Sequence, residues 1–299
     1  MDFVSNLRRR AEILRQIRAF FDERGFVEVT TPVAIDAPAP EPHIDCPTAC
    51  GCKFLRASPE LQMKKLLAAG MDKIYQIGPC FREGEFGARH NPEFTMIEWY
   101  RRKADYLKIM GDTEALMRRL FEVRSKNYEL RTGVDAASTN YHLPTANFHK
   151  ITVREAYRKF AGWDPWEGEW DQDRFDYDMA TKVEPNLGEG FVFLTDYPPQ
   201  AASLSLLRGD VAERWELYYN GIELANCFTE LCDGPEQRRR FLAAKEERRS
   251  LGESDYPLDE EFLEMVPLME SAAGVALGVD RLVAVLCEEP NIHSVMCGE

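Results

Sequence analysis

Phe81-Arg82-Glu83-Gly84-Glu85-Phe86-Gly87-Ala88-Arg89-His90-Asn91-Pro92-Glu93-Phe94-Thr95-Met96-Ile97-Glu98-Trp99-Tyr100 reads as a strand ending in arginine, a polar glycine-containing loop, and a second strand. On the second strand, alternation places Phe94, Met96, Glu98 and Tyr100 on one face and Thr95, Ile97 and Trp99 on the other. A loop carrying Arg82, Arg89, His90 and Asn91 suits a polyanion, and the face bearing Glu98 and Tyr100 suits a cation. A triphosphate beside an amino acid satisfies both demands.

The chain around this hairpin has 299 residues, enough for one large domain or two small ones with a substantial core. Lys plus Arg total 37 against 51 Asp plus Glu, a formal charge of −14. That balance speaks against gripping nucleic acid with the general surface, which needs clustered Lys and Arg, and it suits a basic protein partner. Arg8-Arg9-Arg10 and Arg238-Arg239-Arg240 read as solvated helix faces. No apolar run approaches the roughly 20 residues of a membrane span, and the N-terminus lacks a signal-peptide core, so a cytoplasmic protein is expected. The eight cysteines then read as free thiols. His43, Cys46, Cys50 and Cys52 lie close together, but C-x3-C-x-C is not a common structural-zinc spacing, and ordinary loop cysteines are expected.

Upstream, residues 5–24 form an amphipathic pattern with Leu7, Ile13, Leu14, Ile17, Phe20 and Phe21 on the apolar side, Ser5 as N-cap and Gly25 as stop. A strand over 26–29 follows, then a Pro- and Ala-rich loop over 36–47. Ser58-Pro59-Glu60 opens a helix, with Ser58 capping, Pro59 first in the helix and Gly70 ending it. Downstream, helices are predicted from Ala104 to about Val123 and over 152–161, 171–182, 235–250 and 259–271. The polar segment 125–150 reads as a surface connection, and Trp163, Trp166 and Trp170 as core or interface aromatics.

A second hairpin surrounds Asn220-Gly221, the preferred pair for a two-residue type I′ turn. That turn pairs Tyr219 with Ile222 and Tyr218 with Glu223, leaving Glu216 diagonally on the face of Glu223. Carboxylates that close repel unless a cation lies between them, and Mg²⁺ bound to phosphate oxygens is a natural occupant. Beyond Glu223, strict alternation separates Ala225 and Cys227 from Asn226, Phe228 and Glu230. The two sets can serve one cavity only through a bulge or sharp twist between Glu223 and Glu230.

The opening stretch resembles motif 2 of the class II aminoacyl-tRNA synthetases, in the lysine-type version. Gly274-Val275-Ala276-Leu277-Gly278-Val279-Asp280-Arg281 resembles motif 3, and Asn220 to Leu231 resembles the lysine-type substrate strand. The first helix, strand and Thr31-Pro32 are similar to motif 1, the dimer-forming element. The resemblance covers nearly the whole chain. It implies an α+β fold, a class II catalytic core with an antiparallel sheet flanked by helices, as a single domain spanning 1–299.

The resemblance also implies roles. Ser58, Pro59 and Glu60 would line the amino-acid pocket with Glu98, Tyr100, Asn226, Glu230 and Ala276, Glu230 taking the terminal ammonium. ATP would meet Arg82, Glu83, Gly84, Asn91, Glu223, Leu224, Gly278 and Arg281, with Arg82 and Arg281 as the catalytic arginines and Glu216 and Glu223 as Mg²⁺ ligands. Arg82 would stabilise charge on the α-phosphate as a carboxylate attacks. Two departures stand out from the lysyl-tRNA synthetase pattern. Gly84 stands where a glutamate is usual, which leaves the adenine contact open, and Ala276 stands where glycine is usual. An added methyl there can shift preference between amino acids differing by one carbon by about 1–3 kcal/mol.

Motif 1 begins within the first helix, so no N-terminal anticodon-binding OB-fold is expected. This pattern resembles the shortened lysyl-tRNA synthetase paralogues known as elongation factor P–(R)-β-lysine ligases. Their activity would be adenylation of (R)-β-lysine, or lysine, with ATP and Mg²⁺, then transfer to a lysine of elongation factor P, in a homodimer that does not use tRNA. The alternatives are a minimal enzyme that charges tRNA and a non-catalytic paralogue that only binds an amino acid. Amino-acid-dependent ATP–pyrophosphate exchange separates the last from the others.

Overall fold

The computed structural model describes residues 2–132 and 147–297. Contacts divide the chain into two units: Met1–Asp105 with Thr229–Glu299, and Tyr106–Phe228.

The first unit opens with α1 (Phe3–Asp22). Its N-cap is Asp2, whose carboxylate accepts the Ser5 amide at 2.9 Å, so the expected cap Ser5 lies inside the first turn. Asp fills the capping role as well as Ser does, one turn earlier. Ile13, Ile17, Phe20 and Phe21 are buried, and Phe21 stacks on Tyr75 at 4.8 Å and lies 5.2 Å from Trp99. Arg10 departs from the solvated face expected of it: it pairs with Asp280 at 2.5 Å and donates to Thr95. Next come β1 (Val27–Glu28), β2 (Ala34–Ile35), β3 (Thr48–Ala49) and β4 (Lys53–Leu55), the last three forming a small sheet in the order β2-β4-β3. Helix α2 (Glu60–Ala68) follows, with the Ser58 hydroxyl accepting the Glu60 amide at 3.0 Å. Strands β5 (Lys73–Phe81) and β6 (Glu93–Arg102) make the first predicted hairpin, in register from Lys73↔Arg101 to Phe81↔Glu93.

The second unit contains α3 (Tyr106–Thr132), β7 (Phe148–Thr152), α4 (Val153–Ala156), α5 (Gln172–Asp178), β8 (Phe191–Tyr197), β9 (Leu207–Arg208), β10 (Val211–Tyr219) and β11 (Ile222–Thr229). Helix α3 continues through Thr132, into the segment expected to be a connection; residues 133–146 of that segment lie outside the described residues. Helical turns extend α4 to Ala161 and α5 to Val183. Trp163, Trp166 and Trp170 pack against a core of Tyr157, Phe175 and neighbours. Strands pair in the order β11-β10-β8-β7, with β9 beside β10. Asn220 (φ +49°) and Gly221 (φ +72°) both take the left-handed conformation that the type I′ turn requires.

The chain then returns to the first unit as α6 (Gly234–Leu251), α7 (Glu260–Met265), β12 (Ala272–Gly278) and α8 (Val279–Cys287). Asp233 caps α6, which begins beside Pro235 as expected. Strand β12 pairs antiparallel with β6, and β1 lies parallel to β5. In the second unit β7 is likewise parallel to β8. The sheet structure is therefore mainly antiparallel, as expected, with a parallel pair at each edge. A strand two to five residues long at an edge needs few ladder bonds, and either direction can supply them.

Candidate active site

In the first unit, antiparallel pairing sets Gly274 opposite Tyr100, Ala276 opposite Glu98 and Gly278 opposite Met96. Directly opposed residues share a face. A floor of small residues on β12 thus leaves room beside the polar side chains of β6. The crowding at Gly274 shows how fully that room is used: a Cβ there would lie closer than 3.0 Å to two Tyr100 ring carbons and 2.9 Å from Glu230 Oε1. Gly278 is open by contrast, since a Cβ would meet only the Arg281 stem at 3.9–4.0 Å.

Glu98 is buried at the centre of this face. The Ser58 hydroxyl donates to its Oε1 at 2.6 Å and the Tyr100 hydroxyl to its Oε2 at 2.7 Å. Burial, and then the charge of Glu60, push the Glu98 carboxyl up to about 7 against those two hydrogen bonds. Glu60, in the first turn of α2, accepts the Lys64 ammonium at 2.5 Å. The same ammonium pairs with Glu230 Oε2. Lys64 and Glu230 are both almost wholly buried, and burial raises Glu230 above the usual carboxylate range while Lys64 opposes it. Glu230 Oε1 is buried with no hydrogen-bond partner among the described residues. Two carboxylates, Glu60 and Glu230, therefore share one ammonium, and the charge of a third, Glu98, is felt by the same cluster. If all are ionised, the cluster has a charge deficit that further ammonium groups would fill. A cavity bordered by Pro38, Glu41, Ser58 and Glu60 adjoins the start of α2.

Arg82 follows directly on β5, its amide donating to the Pro92 carbonyl at 2.9 Å. Its guanidinium makes a long 3.5 Å contact to Glu85 and lies 5.3 Å over the Phe94 ring. Its Nε is buried and has no partner among the described residues. An unsatisfied buried guanidinium nitrogen fits a missing anion such as phosphate. Glu83 is anchored by its amide to the Asp45 carbonyl at 2.8 Å, and Gly84 sits at φ +78°, so a side chain in place of this glycine would be strained. Arg281, in the first turn of α8, donates to the Arg89 carbonyl at 3.2 Å and contacts the His90 ring at 2.7 Å. Burial and the nearby Arg281 charge lower the His90 pKa and favour its neutral ring. Asn91 donates to the Glu93 carbonyl at 2.6 Å. Arg82, Glu83, Gly84 and Asn91 thus lie in the loop between β5 and β6, and Arg281 touches it.

The second unit holds Glu216, Glu223, Leu224 and Asn226 on the β10–β11 hairpin. Its register passes from Tyr218↔Glu223 to Leu217↔Ala225, which leaves Leu224 as an extra residue. This is the bulge that the chemistry demanded. It puts Glu223 and Asn226, which strict alternation would separate, on the face of Glu216. The sequence reading missed Arg214, which pairs with Glu216 at 2.5 Å and donates to Asn226 at 3.2 Å. Tyr218 donates to the other Glu216 oxygen at 2.6 Å. Both Glu216 oxygens therefore have protein partners, Arg214 and Tyr218. Two oxygen-donor carboxylates on one face still match the few protein ligands that Mg²⁺ takes when phosphates complete its shell. Among the described residues no group of three or more His, Cys, Asp or Glu could hold a metal ion. Cys46 is a buried free thiol, and Cys50 and Cys52 are exposed ones.

Lys64 was also missed. Its spacing of four from Glu60 on a helix was the available signal, and that spacing ordinarily marks a surface ion pair. Gly274 was quoted only as part of a motif.

Residues 2–297 match the family described as tRNA synthetases class II (D, K and N). Similar curated proteins include the elongation factor P–(R)-β-lysine ligase of Hamiltonella defensa, 35% identical over 98% of this chain and 94% of the relative. Those of Edwardsiella ictaluri and Yersinia enterocolitica are each 37% identical over the same shares. With this match and these relatives, the chain belongs to the class II tRNA synthetase family of the D, K and N type.

Proposed function

We propose that this protein is a ligase that activates (R)-β-lysine, or lysine, as its adenylate with ATP and joins it to a lysine side chain of elongation factor P. The observation that carries the reading is the buried cluster of Glu60, Glu98 and Glu230 with Lys64, whose Glu98 stands on the strand that follows the loop carrying an arginine with an unpartnered Nε. A ligand with two ammonium groups meets the cluster's demand, and a phosphate meets the arginine's. The names of the relatives support both the amino acid and the acceptor.

In the first step the amino-acid carboxylate attacks the α-phosphorus, the bond to the β-phosphate oxygen breaks, and pyrophosphate leaves. Arg82 stabilises the charge that builds on the α-phosphate oxygens. Arg281 holds the loop that carries Arg89 and His90, and Gly278 leaves open space for the nucleotide. Glu83 and the Gly84 backbone meet adenine, Asn91 braces the loop, and Glu223 with Leu224 line the ribose side. Ser58, Pro59, Glu60, Tyr100, Asn226 and Ala276 position the amino acid. Glu216 and Glu223 would hold Mg²⁺, which would neutralise phosphate charge. In the second step the neutral ε-amine of the acceptor lysine attacks the acyl carbonyl, an amide forms, AMP leaves, and the amine proton passes to solvent. No side chain acts as a covalent nucleophile; orientation supplies much of the rate.

The same reading makes the protein a cytoplasmic homodimer, joined through α1 and β1, where Phe3, Val4 and Val27 are exposed. A charge of −14 favours a protein acceptor over tRNA. No helix among the described residues is long and apolar enough to cross a membrane. The test is ATP–pyrophosphate exchange with α-lysine and β-lysine in parallel, then mass spectrometry of purified elongation factor P. Exchange with either, and a mass gain of one acyl group on the acceptor, support the reading. Exchange with neither overturns it.

A further inference from the structure

Lys64 lies one helical turn after Glu60 and is 2% exposed. Its Nζ joins Glu60 Oε1, 2.5 Å away, to Glu230 Oε2. Its ion-pair contacts are with one oxygen of each carboxylate, and both Glu230 oxygens, Oε1 as well as the paired Oε2, are buried without a hydrogen-bond partner among the described residues. Oε1 lies against the Gly274 and Tyr100 side of the site, 2.9 Å from where a Gly274 Cβ would stand.

We propose that Lys64 is a positioning and specificity-determining residue, an internal ammonium that orients Glu230 toward the substrate and sets the charge the substrate must bring. The inference rests on the adenylation reading above. Glu60, Glu98 and Glu230 carry three negative charges when ionised, and Lys64 cancels one. A lysine-like substrate has two ammonium groups and cancels the rest. A mono-amine leaves a buried carboxylate without a counter-ion. Lysine suits this task because its ammonium is a compact point charge that can be shared between two single oxygens. A guanidinium is a planar fork that grips both oxygens of one carboxylate.

The distinguishing variant is therefore Lys64→Arg, which keeps the charge and the bridge to α2 but competes for Glu230 Oε1. Its melting temperature is expected to stay close to wild type. Its KM for the amino acid in ATP–pyrophosphate exchange is expected to rise roughly tenfold or more, with kcat within about threefold of wild type. A merely structural cation would be replaced by arginine with no change in KM, so a KM within about twofold overturns the proposal. Lys64→Met provides a second reading should the arginine not be accommodated. It is expected to raise KM by roughly tenfold or more, and added methylammonium is expected to lower it again by about threefold without affecting wild type. A Lys64→Met enzyme with wild-type KM, or one indifferent to methylammonium, also overturns the proposal. Wild-type enzyme with no exchange on either lysine isomer would instead sink the functional reading, and this inference with it.

Discussion

Gly274→Ala adds a single methyl group, and the structure says where it goes. The new Cβ would fall closer than 3.0 Å to two ring carbons of Tyr100, where carbon atoms rest comfortably at about 3.5–4.0 Å. Tyr100 is 3% exposed, so its ring has little freedom to yield. Moving it breaks the 2.7 Å hydrogen bond to Glu98, and the methyl also presses on Glu230 Oε1. Overpacking costs roughly 1–3 kcal/mol, and losing a hydrogen bond to a charged group about 1.5–3 kcal/mol. A combined cost of about 3 kcal/mol corresponds to roughly a hundredfold weaker binding of the amino acid. Gly274 has no positive φ, so backbone strain does not contribute, and alanine by itself is no worse than glycine in a strand. The assay is ATP–pyrophosphate exchange against amino-acid concentration, with the KM for ATP as an internal control. An amino-acid KM within about threefold of wild type, in a protein with an unchanged melting curve, refutes the packing argument.

Arg82→Ala is expected to lower kcat for exchange by roughly a hundredfold to a thousandfold, with little change in amino-acid KM or melting temperature; an equal loss in unfolding stability would mark the arginine as structural. Glu230→Gln leaves Lys64 with one carboxylate instead of two and is expected to cost about 2–4 kcal/mol of stability, read by urea unfolding, together with loss of exchange. A wild-type midpoint in urea would contradict the described ion pair. Glu98 gives a pH dependence of defined sign. Its folded pKa, about 7, lies above the ordinary glutamate value of 4.5, so the folded protein binds the extra proton. Stability from this group is full below the unfolded pKa and is lost as pH rises toward and through about 7, a swing of about 3 kcal/mol. Urea unfolding at about pH 5.5 and about pH 8 should show about 2 kcal/mol of that decline in wild type and a smaller one in Glu98→Gln. Identical slopes in the two proteins would contradict it. Val27→Arg is expected to yield monomers by light scattering, and an unchanged mass would remove α1 and β1 as the proposed contact.

Hairpins were the most legible part of this molecule, because their signals are local. Asn220-Gly221 specifies its turn by backbone conformation alone, and alternation along 94–100 assigned Glu98 and Tyr100 to one face correctly. The Leu224 bulge was inferred from need: Glu223 and Asn226 could not serve one cavity without an irregularity, and nothing in the residues said which one would be extra. Lys64 was illegible for a different reason. A Glu and a Lys four apart on a helix look the same whether they face water or a buried third carboxylate, and that carboxylate lies 166 positions away in the sequence. Arg214 was hidden similarly, since its partners Glu216 and Asn226 are joined to it only once the bulge sets the register. The parallel edge strands also depend on distant partners, Val27 with Ile74 and Phe148 with Phe191.

The most direct test of the central claim, that a buried acidic cluster selects a doubly ammonium-bearing amino acid for adenylation, compares exchange on β-lysine, lysine and norleucine. Norleucine keeps the apolar chain and one ammonium but lacks the distal one. The account predicts exchange with at least one lysine isomer and a kcat/KM for norleucine lower by roughly a hundredfold or more. Norleucine turned over as efficiently as the lysines would contradict it.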